Sequence, residues 1–168
     1  CDAGVLTSDD IQRGCTVAFK KAEQVLRGAE YDEHGLTCDE IAAINFYTQE
    51  DMSANRTRTN IYRSLNSALR AQDYAVLRPY WQYIKLLQQA ILKLPRVPRE
   101  MDLFRGISQP QPDVVLDDLL KKRDELEPQV WWAFSSTTSN EATAKRFLTP
   151  RGKRVLYTVE GSIARDVK

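Results

Sequence analysis

Hydrophobic and polar positions along the first half of the chain recur at helical spacing. Between Leu6 and Glu30, Ile11, Cys15, Val17, Ala18, Ala22 and Val25 predict a helix whose start signals are Thr7 and Ser8. The segment Gly35–Glu50 opens on Thr37 followed by Glu40, a capping-box pattern, and continues through Ile41, Ile44, Phe46 and Tyr47. "NRTRTN", Asn55–Asn60, reads as a basic polar loop. "IYRSLNSALRA" predicts a short helix with Ile61, Tyr62, Leu65, Ala68 and Leu69 on one stripe and Asn66 and Ser67 outside it. Leu77–Pro95 is the most strongly periodic stretch. Tyr80, Ile84, Leu87, Ile91 and Leu94 share a face, Pro79 fits the first turn and Pro95 stops the helix.

The period changes after Pro98. Glu100–Ile107, "EMDLFRGI", is a short apolar run between proline-bearing segments and predicts a strand. Pro112–Glu127 predicts an amphipathic helix with a charged, solvated face. Val130–Thr138, "VWWAFSSTT", predicts a second strand. Ser139–Leu148 has a cap at Ser139 or Asn140 and a short helical pattern. Lys153–Gly161, "KRVLYTVEG", predicts a third strand with Val155, Tyr157 and Val159 alternating against Leu156 and Thr158. Helices first and strands later predict an α+β fold.

The 168 residues suit one domain, and 42% hydrophobic residues are enough for a sizeable core. Lys+Arg is 24 against 23 Asp+Glu, which leaves no global charge to attract nucleic acid or an anionic membrane. No apolar run approaches the roughly 20 residues of a membrane span. Cys1, Cys15 and Cys38 have no metal-ligand spacing; a disulfide plus a free thiol and a set of reduced thiols are both open. "NRT" at Asn55–Thr57 fits a glycosylation sequon, a triplet common by chance. His34 is the only histidine, and nothing around it suggests a Ser-His-Asp arrangement.

Candidate chemistry concentrates in the second half. Arg105 is followed by Gly106 at a strand end: a fixed fork of donors beside a residue that lets a ligand approach the backbone. Alone, the pair also reads as a surface arginine. Trp131, Trp132 and Phe134 can wall a pocket, and Ser135, Ser136, Thr137 and Thr138 bring small hydroxyls to its rim. A polar strand-to-helix connection reads equally well from that segment alone.

Taken in order, "LFRG", "WWAFSSTTS" and "RVLYTVEG", preceded by "LTCDEIAAINFYTQE", "IYRSLNSALR" and "YIKLLQQAILKLP", resemble the catalytic domain of mono-ADP-ribosyltransferases of the R-S-E class, over roughly residues 36 to 166. The resemblance implies a helical lobe (residues 1–97) followed by a split, mixed or antiparallel β-sheet core (98–168), lacking the family's last strands. It implies NAD as a substrate, with ADP-ribose passing to a side chain of an acceptor protein. Arg105 and Ser136 would serve catalysis: Arg105 on an NAD phosphate and ribose, Ser136 orienting a glutamate. Gly106 would offer backbone bonds to nicotinamide. Ser136, Thr137 and Thr138 match the family's Ser-Thr-Ser motif, with threonine in the third place. Phe134 and Trp132 would shape the pocket, Arg146 would reach a phosphate, and Phe147 would pack on nicotinamide.

The family's Glu-x-Glu or Gln-x-Glu motif is not matched before Lys168, and Glu160, at the strand end, is not in the matching position. The expectation is therefore a truncated or discontinuous chain, or a second fragment supplying the glutamate. Alternatives within the same fold are an NAD-binding or protein-interaction module without turnover and an NAD glycohydrolase. A soluble effector or toxin and a eukaryotic enzyme are both compatible.

Overall fold

Helix α1 (Ser8–Leu26) carries Asp9 and Asp10 in its first turn, where carboxylates meet the positive end of the helix dipole. This computed structural model describes residues 8–28, 34–49, 60–108, 121–122, 124–125, 130–148, 154–161 and 163–167. The buried face of α1 matches the expected stripe in part: Ala18 and Ala22 are buried and Cys15 packs against the core. That face consists of Asp10, Gly14, Ala18 and Ala22, at four-residue spacing, while Ile11, Val17 and Val25 stand exposed. Small side chains along that line let α2 (Cys38–Thr48) pack closely against α1, and the bulkier ones flank the contact.

Thr37 and Glu40 form the expected capping box at the start of α2. The Thr37 hydroxyl accepts from the Glu40 amide at 3.3 Å, and the Glu40 carboxylate accepts from the Thr37 amide at 2.7 Å. The same carboxylate pairs with Lys93 at 2.8 Å. Helix α3 (Ile61–Ala71) is capped by Asn60, whose side chain accepts from the Arg63 amide at 2.9 Å. Ile61, Leu65 and Ala68 are buried as the stripe predicts. Asn66, expected outside it, is fully buried as well, and its amide donates to the Tyr47 hydroxyl at 2.9 Å. A buried side chain with a polar partner is tolerated at a position that periodicity alone assigns to solvent.

A short α4 (Tyr74–Leu77) and a 3-10 turn (Arg78–Tyr80) holding Pro79 lead into α5 (Trp81–Lys93). Leu87 and Ala90 are its buried positions, and Leu94, which caps its C-terminus, is buried too. The helical core gathers Ala18, Ala22, Ile41, Ala42, Phe46 and Ile61, with Cys15, Cys38, Tyr80 and Tyr83 packed against it. Phe46 and Tyr83 meet edge to face at 5.6 Å, and the Tyr83 hydroxyl donates to the Ala43 carbonyl at 2.9 Å. Burial pushes the Tyr83 phenol well up. Cys15 and Cys38 are free thiols; Cys1 and the sequon at Asn55 lie outside the described residues.

The second half holds a two-stranded antiparallel sheet of β1 (Leu103–Ser108) and β2 (Arg154–Val159), in the register Leu103↔Val159 to Ser108↔Arg154. Helix α6 (Glu141–Arg146) takes Asn140, not Ser139, as its N-cap, with the Asn140 side chain accepting from the Thr143 amide at 3.1 Å.

The strand expected at Val130–Thr138 does not form. That segment is irregular and joins β1 through a single bridge, Phe104↔Thr138. Side chains there bond to nearby backbone in place of a ladder: the Ser135 hydroxyl donates to the Ala133 carbonyl at 3.3 Å, and the Thr138 hydroxyl accepts from the Asn140 amide at 3.2 Å. The helix expected at Pro112–Glu127 lies mostly outside the described residues; residues 121, 122 and 124 are helical.

The architecture is α+β. The chain divides into two compact units, Cys1–Pro95 with Arg165–Lys168, and Arg96–Ala164. No helix among the described residues is long and apolar enough to cross a membrane.

Candidate functional site

Successive side chains on β1 point to opposite faces, so Arg105 faces one way and Phe104 and Gly106 the other. On the Gly106 face lies α6. A methyl group added at Gly106 would run into the Ala144 carbonyl oxygen and come within 3.1 Å of the Leu148 side chain. Glycine is required there because the helix backbone rests directly on the strand. On the Arg105 face, Tyr157 is the residue directly opposite in the ladder.

The backbone beside Arg105 opens. Both polar groups of Phe104 bond to Thr138: the Phe104 amide donates to the Thr138 carbonyl at 2.7 Å, and the Thr138 amide donates to the Phe104 carbonyl at 3.0 Å. Backbone polar groups alternate in direction along a strand, so the N–H and C=O of Gly106 point toward that same edge. A continued antiparallel ladder would put Ser136 opposite Gly106. Instead the Ser136 carbonyl accepts from Nη1 of Arg105 at 2.7 Å. Among the described residues no backbone hydrogen bond joins Gly106 to Ser136. Among the described residues the ladder therefore stops after one bridge, and the Gly106 N–H and C=O on that side have no backbone partner.

Arg105 also lies over the Trp131 ring, with its guanidinium carbon 5.8 Å from the ring centre. Trp131 in turn meets Tyr157 edge to face at 5.4 Å. Burial pushes the Tyr157 phenol up, against the pull of Arg105 in the other direction. Among the described residues no carboxylate pairs with Arg105.

The structure brings Arg105, Gly106, Ser136 and Thr138 together at this strand edge. Ser136 engages Arg105 through its carbonyl, and the residue itself is exposed. Phe134 and Thr137 are half-buried nearby in sequence, while Trp132, expected as a wall, is 55% exposed. Arg146 and Phe147 stand exposed at the C-terminal end of α6. The contacts of Trp131 and Tyr157 with the arginine were not anticipated from sequence. The alternation through Val155, Tyr157 and Val159 placed Tyr157 on a face; only the register places it across from Arg105.

No family model, curated protein or solved structure matches this chain.

Proposed function

We propose that the strand unit handles NAD in a mono-ADP-ribosyltransferase reaction of the R-S-E type, passing ADP-ribose to a protein side chain and releasing nicotinamide. The observation that carries this reading is the opened edge of β1, where Arg105, which meets no carboxylate among the described residues, stands beside the backbone of Gly106 and the Ser136 carbonyl. A guanidinium grips a diphosphate through paired, charge-assisted hydrogen bonds. A planar carboxamide complements a backbone edge: its NH2 donates to the Gly106 carbonyl and its oxygen accepts from the Gly106 amide. Fixing the diphosphate and the nicotinamide at once holds the ribose between them.

In the reaction the nicotinamide–ribose bond breaks and its electron pair returns to the ring nitrogen, so nicotinamide leaves neutral. Positive charge develops on the ribose, as in glycoside cleavage, and the acceptor side chain bonds to the same carbon and gives up its proton. A fixed carboxylate stabilises that charge. None of the 168 residues matches the family's catalytic glutamate. The proposal therefore gives this chain binding and positioning, and leaves the glutamate to a further segment or a second fragment. Ser136, exposed at the rim, is assigned to bracing that glutamate. Phe134, Thr137 and Thr138 line the rim, and Arg146 and Phe147 are assigned to a phosphate and to the nicotinamide ring.

The test is incubation of the full protein with labelled NAD and a cell lysate. Transfer puts label on a protein band, and Arg105→Ala abolishes it. In direct binding, Arg105→Ala weakens NAD by about 10- to 100-fold, the worth of hydrogen bonds to a charged group. Nicotinamide release without labelled protein would reassign the domain to NAD hydrolysis, and NAD binding without turnover to a non-catalytic module. Failure of the wild-type protein to bind NAD would overturn the reading.

A further inference from the structure

Arg105 is a long side chain at an open strand edge, yet its head is held from several directions. Nη1 donates to the Ser136 carbonyl at 2.7 Å. The guanidinium lies over the Trp131 face, its carbon 5.8 Å from the ring centre. Trp131 is set by Tyr157, whose ring meets it at 5.4 Å and 79°. Tyr157 is the ladder partner of Arg105 itself, so the chain of contacts closes on the strand from which it began.

We infer that Trp131 and Tyr157 are positioning residues for Arg105: the tryptophan face holds the guanidinium, and the tyrosine ring holds the tryptophan. A cation over a ring face is held to that side of the ring by the ring's quadrupole, and a guanidinium carries its N–H donors in a fixed planar fork. Nη1 is the nitrogen that the carbonyl engages, and among the described residues no hydrogen bond is made by the others, whose N–H groups are donors of the kind an oxyanion takes. The platform's service to a nucleotide rests on the reading that Arg105 grips the NAD diphosphate. The ordering of the side chain does not.

The experiment uses the full chain with labelled arginine, following the Nε–H signal of Arg105 by NMR, alongside NAD titrations. Trp131→Leu and Tyr157→Leu are expected to broaden or erase that signal and to weaken NAD about threefold, the scale of a partly exposed cation–π contact. Trp131→Phe and Tyr157→Phe keep a ring at each position, and are expected to keep both the signal and the affinity. If the leucine variants retain a sharp Arg105 signal, or the phenylalanine variants lose it equally, the platform is refuted. If wild-type protein does not bind NAD, the nucleotide reading falls while the signal comparison still decides the platform.

Discussion

In the helical unit, several buried polar groups are answered from within the unit, while the Asn45 side-chain nitrogen is buried without a hydrogen-bond partner among the described residues. Glu40 accepts from Thr37 and Lys93, Asn66 donates to Tyr47, and Tyr83 donates to Ala43. In the strand unit the corresponding groups are left at an edge: a guanidinium rests on a carbonyl and a ring face, and Trp132 and Phe147 stand in solvent. The difference lies in the backbone. Helices satisfy their own N–H and C=O groups, so their side chains are free to build a core. A ladder that stops after one bridge leaves both backbone and side chain to meet something else. That contrast makes the strand edge, and not the larger helical core, the place to look for binding.

The largest expected effect tests the helical side. Leu65 is completely buried on α3, and Leu65→Ala removes most of its packing. The cost should be about 3 kcal/mol, read as a shift in the denaturant midpoint. If the contrast is sound, the Arg105 Nε–H signal stays unchanged in the folded variant. A Leu65→Ala protein that stays folded but loses that signal would break the separation.

Gly106→Ala tests the other side. Its methyl group meets the Ala144 backbone carbonyl, which cannot swing aside as a side chain can, and the end of the Leu148 side chain. Overpacking of this kind costs about 2 kcal/mol and should displace α6 from β1. The measurement is thermal unfolding together with amide exchange of Ala144 and Phe147, whose N–H groups bond to Asn140 and Ala144 within the helix. An unchanged melting temperature would show that the helix does not rest on the strand.

Much of the fold was legible because helices announce themselves locally. Thr37 with Glu40, and the spacing of Ile61, Leu65 and Ala68, are signals contained within one turn or two. Asn66 was not legible, because its partner, Tyr47, lies on another helix and no periodicity points to it. The Val130–Thr138 segment misled for a related reason. Its aromatic and β-branched residues favour a strand, but pairing depends on what the neighbouring strand offers, and Arg105 occupies the Ser136 carbonyl. Arg105, Gly106 and Ser136 could be named from their order along the chain. Trp131 and Tyr157 became partners of Arg105 only through register and ring geometry, which sequence does not carry.

The smallest effect sharpens the contrast through pH. Burial alone would raise the Glu40 carboxyl, but hydrogen bonds from Lys93 and Thr37, with the Lys93 charge, hold it below the ordinary glutamate value of 4.5. A depressed folded-state value means that the unfolded chain binds the proton first as pH falls. The stabilisation is therefore fully present above pH 4.5 and is lost as pH drops through the lower folded value. Glu40→Gln keeps an acceptor for the capping box but removes the charge facing Lys93. It should cost about 1 kcal/mol at neutral pH and flatten the stability profile below the glutamate range. In the strand unit Arg105 faces no carboxylate among the described residues, so Arg105→Gln should leave that acid limb unchanged. Parallel losses in the two variants would mean that the strand edge is held by buried charge after all, as the helical unit is.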